Sequence, residues 1–89
     1  MIDGARVLAV ADLSGTRATG TVRHFRDGQF QDSSKFTYLA LATYEGDSGC
    51  YVFYCDDAWE VQNDTLYDSR EDAEEQVRRE FVGVTFIDA

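Results

Sequence analysis

Chemistry in a chain of 89 residues has to come from few places, and His24 is the first of them because it is the single histidine. Any acid–base or nucleophilic scheme must run through it or through carboxylates alone. A Cys–His–Asp triad can be written from the residue types, but no spacing supports it, and His24 reads as a surface or structural residue on a short strand. The densest collection of reactive types is CYVFYCDDAWE, residues 50–60, with two cysteines, Asp56, Asp57 and Glu60 among aromatics. Five positions along a strand separate the Cα atoms of Cys50 and Cys55 by about 16 Å and turn them to opposite faces. A disulfide needs about 4.4 to 6.8 Å, so the two cannot bond to each other or share a metal, and two free, wholly or partly buried thiols are expected. Asp56, Asp57 and Glu60 lack the spacing of a calcium loop and are better read as turn formers, whose carboxylates bond the backbone just ahead. Residues 15–21, GTRATGT, have the glycine spacing of a phosphate loop. Threonine replaces the required lysine and no helix pattern follows, so this is a loop feeding a strand. No catalytic residue, cofactor or metal ligand is assigned.

Charge says more about partners. The net charge is −9 and lies almost wholly in the second half: residues 45–89 hold thirteen acids against Arg70, Arg78 and Arg79, whereas residues 1–44 are nearly balanced. Glu71, Asp72, Glu74 and Glu75 read as the solvated face and first turn of a helix. Glu45, Asp47, Asp56, Asp57, Glu60, Asp64, Asp68, Glu80 and Asp88 fall mostly on loops and sheet ends, where they sum to a negative field. Such a surface disfavours nucleic acid and anionic membrane and attracts a basic protein. No apolar run is long enough to span a bilayer, and the start of the chain has no signal-peptide pattern, so a cytoplasmic location is expected.

The elements that would position these residues are mostly strands. The composition, 44% hydrophobic and 13% aromatic, is that of a folding chain, and without repeat, low-complexity segment or proline it reads as one domain over residues 1–89. Strands are expected at Arg6–Ala11 and Thr19–Phe25, with a turn at residues 12–16 between them, a hairpin turn at Asp27-Gly28 and a loop at residues 32–34. Phe36–Tyr44 and Cys50–Cys55 should pair as an antiparallel hairpin across the turn residues 45–49. After a turn at residues 56–58, a strand should begin at Trp59, with Trp59, Val61, Thr65 and Tyr67 on one buried face. Ser69 should cap a helix carrying Ala73, Val77 and Phe81 as its apolar stripe, supported by Glu74–Arg78 and Glu75–Arg79 pairs and ended by Gly83. Val84–Ile87 would add a short last strand. The fold class is therefore α+β: an antiparallel sheet of four to six strands with one C-terminal helix packed on one face. Tyr38, Ala40, Ala42 and Tyr44 point away from Leu39 and Leu41. Both sheet faces are thus apolar, and the second must be covered by the N-terminal strands or by another chain.

At Tyr54-Cys55-Asp56, Trp59, Asp64-Thr65, Asp68-Ser69, Ala73, Gln76, Glu80-Phe81 and Gly83, the last 40 or so residues resemble a group of small uncharacterised bacterial proteins. That group shows a YCD..W....DT..DS...A..Q...EF.G pattern, and some members are similar to immunity proteins that neutralise toxins passed between bacteria. The resemblance implies a non-enzymatic inhibitor of a toxin, and it brings no catalytic residues with it. The expectation is an acidic protein-interaction module, homodimerisation through the sheet being compatible with it. Tyr51, Phe53, Asp56, Asp57, Trp59 and Glu60 would be the contact residues. The alternative is a small-molecule binding module or carboxylate-based enzyme, which requires a pocket near His24 or Asp56.

Overall fold

The computed structural model describes every residue except 1, 3, 21–23, 33, 34 and 47, and all but the side chain of Arg26. Its elements are β1 (Arg6–Asp12), β2 (Arg17–Ala18), β3 (His24–Arg26), β4 (Gln29–Gln31), β5 (Tyr38–Thr43), β6 (Cys50–Cys55), β7 (Val61–Tyr67), α1 (Arg70–Glu80), β8 (Phe81–Val82) and β9 (Ile87–Asp88). Among the described residues, five strands form an antiparallel sheet in the order β7-β6-β5-β1-β9, with α1 packed on it. The fold is α+β, with helix and sheet arranged as the pattern predicts.

The β5–β6 register places Leu39 opposite Tyr54, Leu41 opposite Val52 and Ala40 opposite Phe53. Leu39, Leu41, Val52, Tyr54, Ala9 and Ala11 therefore share the face beneath the helix, where Ala73, Val77 and Phe81 meet them in the main core. Each fully buried Leu or Val there contributes about 1.5 to 3 kcal/mol. The helix begins as expected: the Ser69 hydroxyl accepts the Asp72 N–H at 3.1 Å, and Glu71 and Asp72 face the positive end of the dipole. Its end differs. Phe81 is already extended and pairs with Ala18 of β2, so the helix stops at Glu80 and passes without a loop into β8, with Gly83 in the turn beyond.

Other expectations shift for local reasons. Asp27 and Gly28, with φ of 52° and 77°, make the predicted hairpin turn, and it joins β3 to β4. The expected strand Thr19–Phe25 is described only at its ends, as a non-strand stretch at Thr19 and Gly20 and as β3; residues 21–23 lie outside the described set, as do 33 and 34 of the loop at 32–34. The strand expected from Trp59 starts at Val61, because Trp59 takes up a turn conformation with φ 63°. A bulge then breaks the expected parity. Val61 pairs with Cys55 while Asn63 pairs with Tyr54, so Val61 faces the second side and Thr65 and Tyr67 face the helix side.

That second side is only partly covered. Ala40, Ala42, Phe53 and Cys55 are buried there with Ala5, packed against Ile2, Val7, Val10, Val61, Tyr38, Tyr44 and Tyr51. Ile2 and Ala5 exchange backbone hydrogen bonds across a tight turn, so the segment before β1 supplies some of the cover and a belt of rings supplies more.

Candidate functional site

Glu80 is the last residue of α1 and lies on its buried stripe, seven positions after Ala73 and three after Val77, with 0% of its surface exposed. A carboxylate taken out of water must be hydrogen-bonded on both oxygens or it costs several kcal/mol. Both are met: the Tyr54 hydroxyl donates to Oε2 at 2.8 Å, and the Nε2 of His24, itself 3% exposed, pairs with Oε1. The His24 ring stands edge-on to Phe36 at 5.3 Å and lies 4.1 Å from the Tyr54 ring. Thr19 fixes the helix end from the same chain segment. Its backbone N–H donates to the Glu80 carbonyl at 2.8 Å, and its hydroxyl bonds the Arg79 carbonyl at 2.8 Å. One imidazole, one carboxylate and one phenol thus join β3, α1 and β6 through hydrogen bonds that meet at Glu80.

Burial first, and then the charge and hydrogen bonding of Glu80, push the Tyr54 phenol far above its usual range, against a smaller opposing effect from a hydrogen bond with Thr65. Burial and Glu80 raise Tyr67 in the same way, offset by its hydrogen bond with Tyr54. Tyr54 therefore stays a neutral donor at ordinary pH. An imidazole bridged to a carboxylate is also the geometry of an activated base. Here all three groups are sealed from solvent, and a substrate could reach none of their atoms without the helix end opening. What the network can do as it stands is hold three elements in register.

The sequence-predicted contact residues are gathered elsewhere, at the corner between β6 and β7. Asp56 is the organiser expected of it: Oδ1 accepts the N–H groups of Ala58 and Glu60, each at 2.9 Å, and Oδ2 accepts Nε2 of Gln62 at 3.1 Å. The Glu60 carbonyl accepts the Asp56 N–H at 3.0 Å, which closes the turn. The closed turn forces Trp59 into the left-handed region, where a bulky side chain costs energy. Its ring lies flat on Tyr38, 4.2 Å away and 3° from parallel, and stays 37% exposed. Asp57 and Glu60 flank it in solvent. Tyr51 is farther off, half-buried against Tyr44 and Phe53, and Phe53 is 1% exposed beneath its neighbours. Asp57, Trp59 and Glu60 thus form one surface patch with Asp56 as its support, while Phe53 belongs to the packing below it.

One correction concerns a single residue. Glu80 is one of the nine acids assigned by sequence to the outward negative field, and its burial removes it from that field. Its signal is its place on the apolar stripe, where an acid demands a buried partner. Cys50 and Cys55 are, as expected, free, buried and on opposite faces; burial raises the Cys50 thiol above its ordinary range. A cleft of about 340 Å³ is lined by Phe30, Gln31, Lys35, Phe36, Asp56 and Gln62. Among the described residues no group of three or more His, Cys, Asp or Glu side chains is arranged to hold a metal ion, and no helix is long and apolar enough to cross a membrane.

No protein-family model, no curated protein and no solved structure matches the chain.

Proposed function

We propose that the protein is a non-enzymatic, acidic interaction module that binds a basic protein, with neutralisation of a toxin as the sharpest form of that role. The observation carrying this reading is the Asp56 corner: a rigid turn that holds Trp59 on Tyr38, half open to solvent, between two exposed carboxylates. An aromatic anchor rimmed by charge is the usual make-up of an interface hot spot, and a net charge of −9 steers a cationic partner towards it. Trp59 is held in the left-handed region at the surface, and strain of that kind concentrates at functional sites. Immobilised protein exposed to extract of its native host, at low and at moderate salt, should retain a basic protein. The Trp59→Ala and Asp57→Asn/Glu60→Gln variants should lose it. Retention of no basic protein in either salt condition counts decisively against the proposal.

A second reading rests on the cleft beside Asp56, where Lys35, Gln31 and Gln62 converge with the rings of Phe30 and Phe36. It makes the protein a binder of a small ligand with a planar apolar part and polar groups that meet Lys35, Asp56 and the two amides. Screening such compounds by amide chemical-shift change tests it, and shifts absent from residues 30–36 and 62 would dismiss it. His24 plays no part in this reading, because its ring is sealed against Glu80.

A further inference from the structure

β7 is the outermost strand of the sheet, and among the described residues no strand pairs with its free edge. β3 approaches it near Asn63, whose side-chain amide donates to the Phe25 carbonyl and to the Gln31 side chain, each at 2.8 Å. The bulge and the closed Asp56 turn occupy the Val61 end. From Asp64 to Tyr67 the register against β6 is regular, so alternate residues turn both N–H and C=O away from the sheet. Asp64 and Leu66 stand opposite Phe53 and Tyr51, hence on the second face, and both are exposed. Glu60 and Asp68, exposed as well, mark the two ends of the strand. Residues 56–69 hold five acids and no lysine or arginine.

We infer that an extended, basic segment of the partner adds to this edge as a further strand. The inference rests on the reading of the chain as a binder of a basic protein, and it gives the form that partner takes where it docks. Strand addition draws affinity from main-chain hydrogen bonds and selectivity from alternate side chains. A side chain directly opposite Asp64 has its Cβ about 4.5 to 5.5 Å away, and the residue two positions along faces Leu66. Lysine or arginine suits the first place, an aliphatic residue the second, and a further cation two positions beyond, beside Asp68. β7 begins two residues after Trp59, so the edge continues the patch at the corner. A second copy of this chain is the wrong occupant: with a net charge of −9 it brings acid against acid, and like charges on facing strands are destabilising.

The probe is a synthetic pentapeptide blocked at both ends, with lysine first and last, valine in the middle and threonine between. Added to the whole chain at low salt, it should shift the backbone amide signals of residues 64–67 and slow hydrogen exchange at the outward-facing ones, and moderate salt should weaken it. Two N-methylated versions separate strand addition from charge attraction alone. One is methylated at the threonine amides, the other at the lysine and valine amides. Because alternate amides face the edge, one version should bind and the other should not. Asp64→Lys/Asp68→Lys, at exposed positions, should lose the peptide. Glu45→Lys/Glu75→Lys, an equal change in net charge at exposed sites off β7, should keep it. Shifts that fall elsewhere, equal binding of both methylated versions, or binding that survives in Asp64→Lys/Asp68→Lys would each overturn the inference. If a basic host protein is captured through Trp59 and Asp64→Lys/Asp68→Lys captures it equally well, the functional reading stands and this inference falls. If the peptide adds at β7 but the extract yields no basic protein, the edge is supported as a site and the functional reading falls.

Discussion

At the scale of single residues, Glu80 is the most consequential side chain in the molecule. It is hydrogen-bonded on both oxygens, so Glu80→Gln removes the charge and sets an amide N–H₂ either against the Tyr54 donor or against His24, whose Nε2 must then accept instead of donate. A loss of about 2 to 3 kcal/mol in stability is expected from urea unfolding, and Tyr54→Phe should cost about 1 to 3 kcal/mol by leaving Oε2 short of a donor. A change below about 0.5 kcal/mol in both would mean that the network contributes little beyond packing. The phenols also set an alkaline limit. In the unfolded chain Tyr54 ionises near 10.0, but in the native state it keeps its proton well above that. The native state then binds more protons than the unfolded one, so stability is fully present below pH 10 and falls as pH rises, by up to about 1.4 kcal/mol per pH unit from Tyr54. Tyr67 and Cys50 are raised as well and act in the same direction. Urea midpoints between about pH 8 and pH 11 check this; a flat profile would mean that these groups titrate in the folded protein.

At the scale of elements, the helix start is a clean case. Ser69→Ala removes the acceptor for the Asp72 N–H and should cost about 1 kcal/mol with no change in partner capture, measured by urea unfolding beside the wild type. It is also the kind of feature a sequence states outright, since a capping serine, early acids and late arginines are all local. The Asp27-Gly28 turn and the Phe36–Cys55 hairpin were legible for the same reason: period and turn chemistry lie within a few residues. The helix end was less so. Gly83 is a good terminator, yet Phe81 leaves the helix earlier because β2, more than sixty positions away, offers it a strand partner. The parity of β7 failed at Gln62, where one extra residue lets Asp56 close its turn and moves Val61 to the other face. The candidate site divides in the same way. Asp56 as a turn former could be read from the sequence, but the meeting of His24 and Glu80, 56 positions apart, could not. A lone histidine carries no sign of its partner until topology brings the two together.

At the scale of the whole molecule, the excess of negative charge opposes the compact state. Glu74 and Glu75 are met by arginines on α1, and Arg70 also reaches Asp88, but these pairs lie at the surface and each counts for little. Screening the remaining acids should raise stability by about 1 kcal/mol between low and moderate sodium chloride, which is about 4 to 8 °C in Tm for a domain of this size. Calorimetry on dilute protein measures this, and a fall in Tm would show that the pairs outweigh the repulsion.

The order of strands carries one more consequence, for the chain as it is made. β1 is flanked by β5 on one side and by β9 on the other, so a strand near the beginning waits for residues 87–88 before both of its edges are hydrogen-bonded. Until those residues leave the ribosome, the row of N–H and C=O groups on the outer edge of β1 stands open to any other extended chain. A ribosome stalled within the helix would therefore expose a ready template for aggregation, which the pairing of residues 87–88 with Ala9 and Val10 narrows.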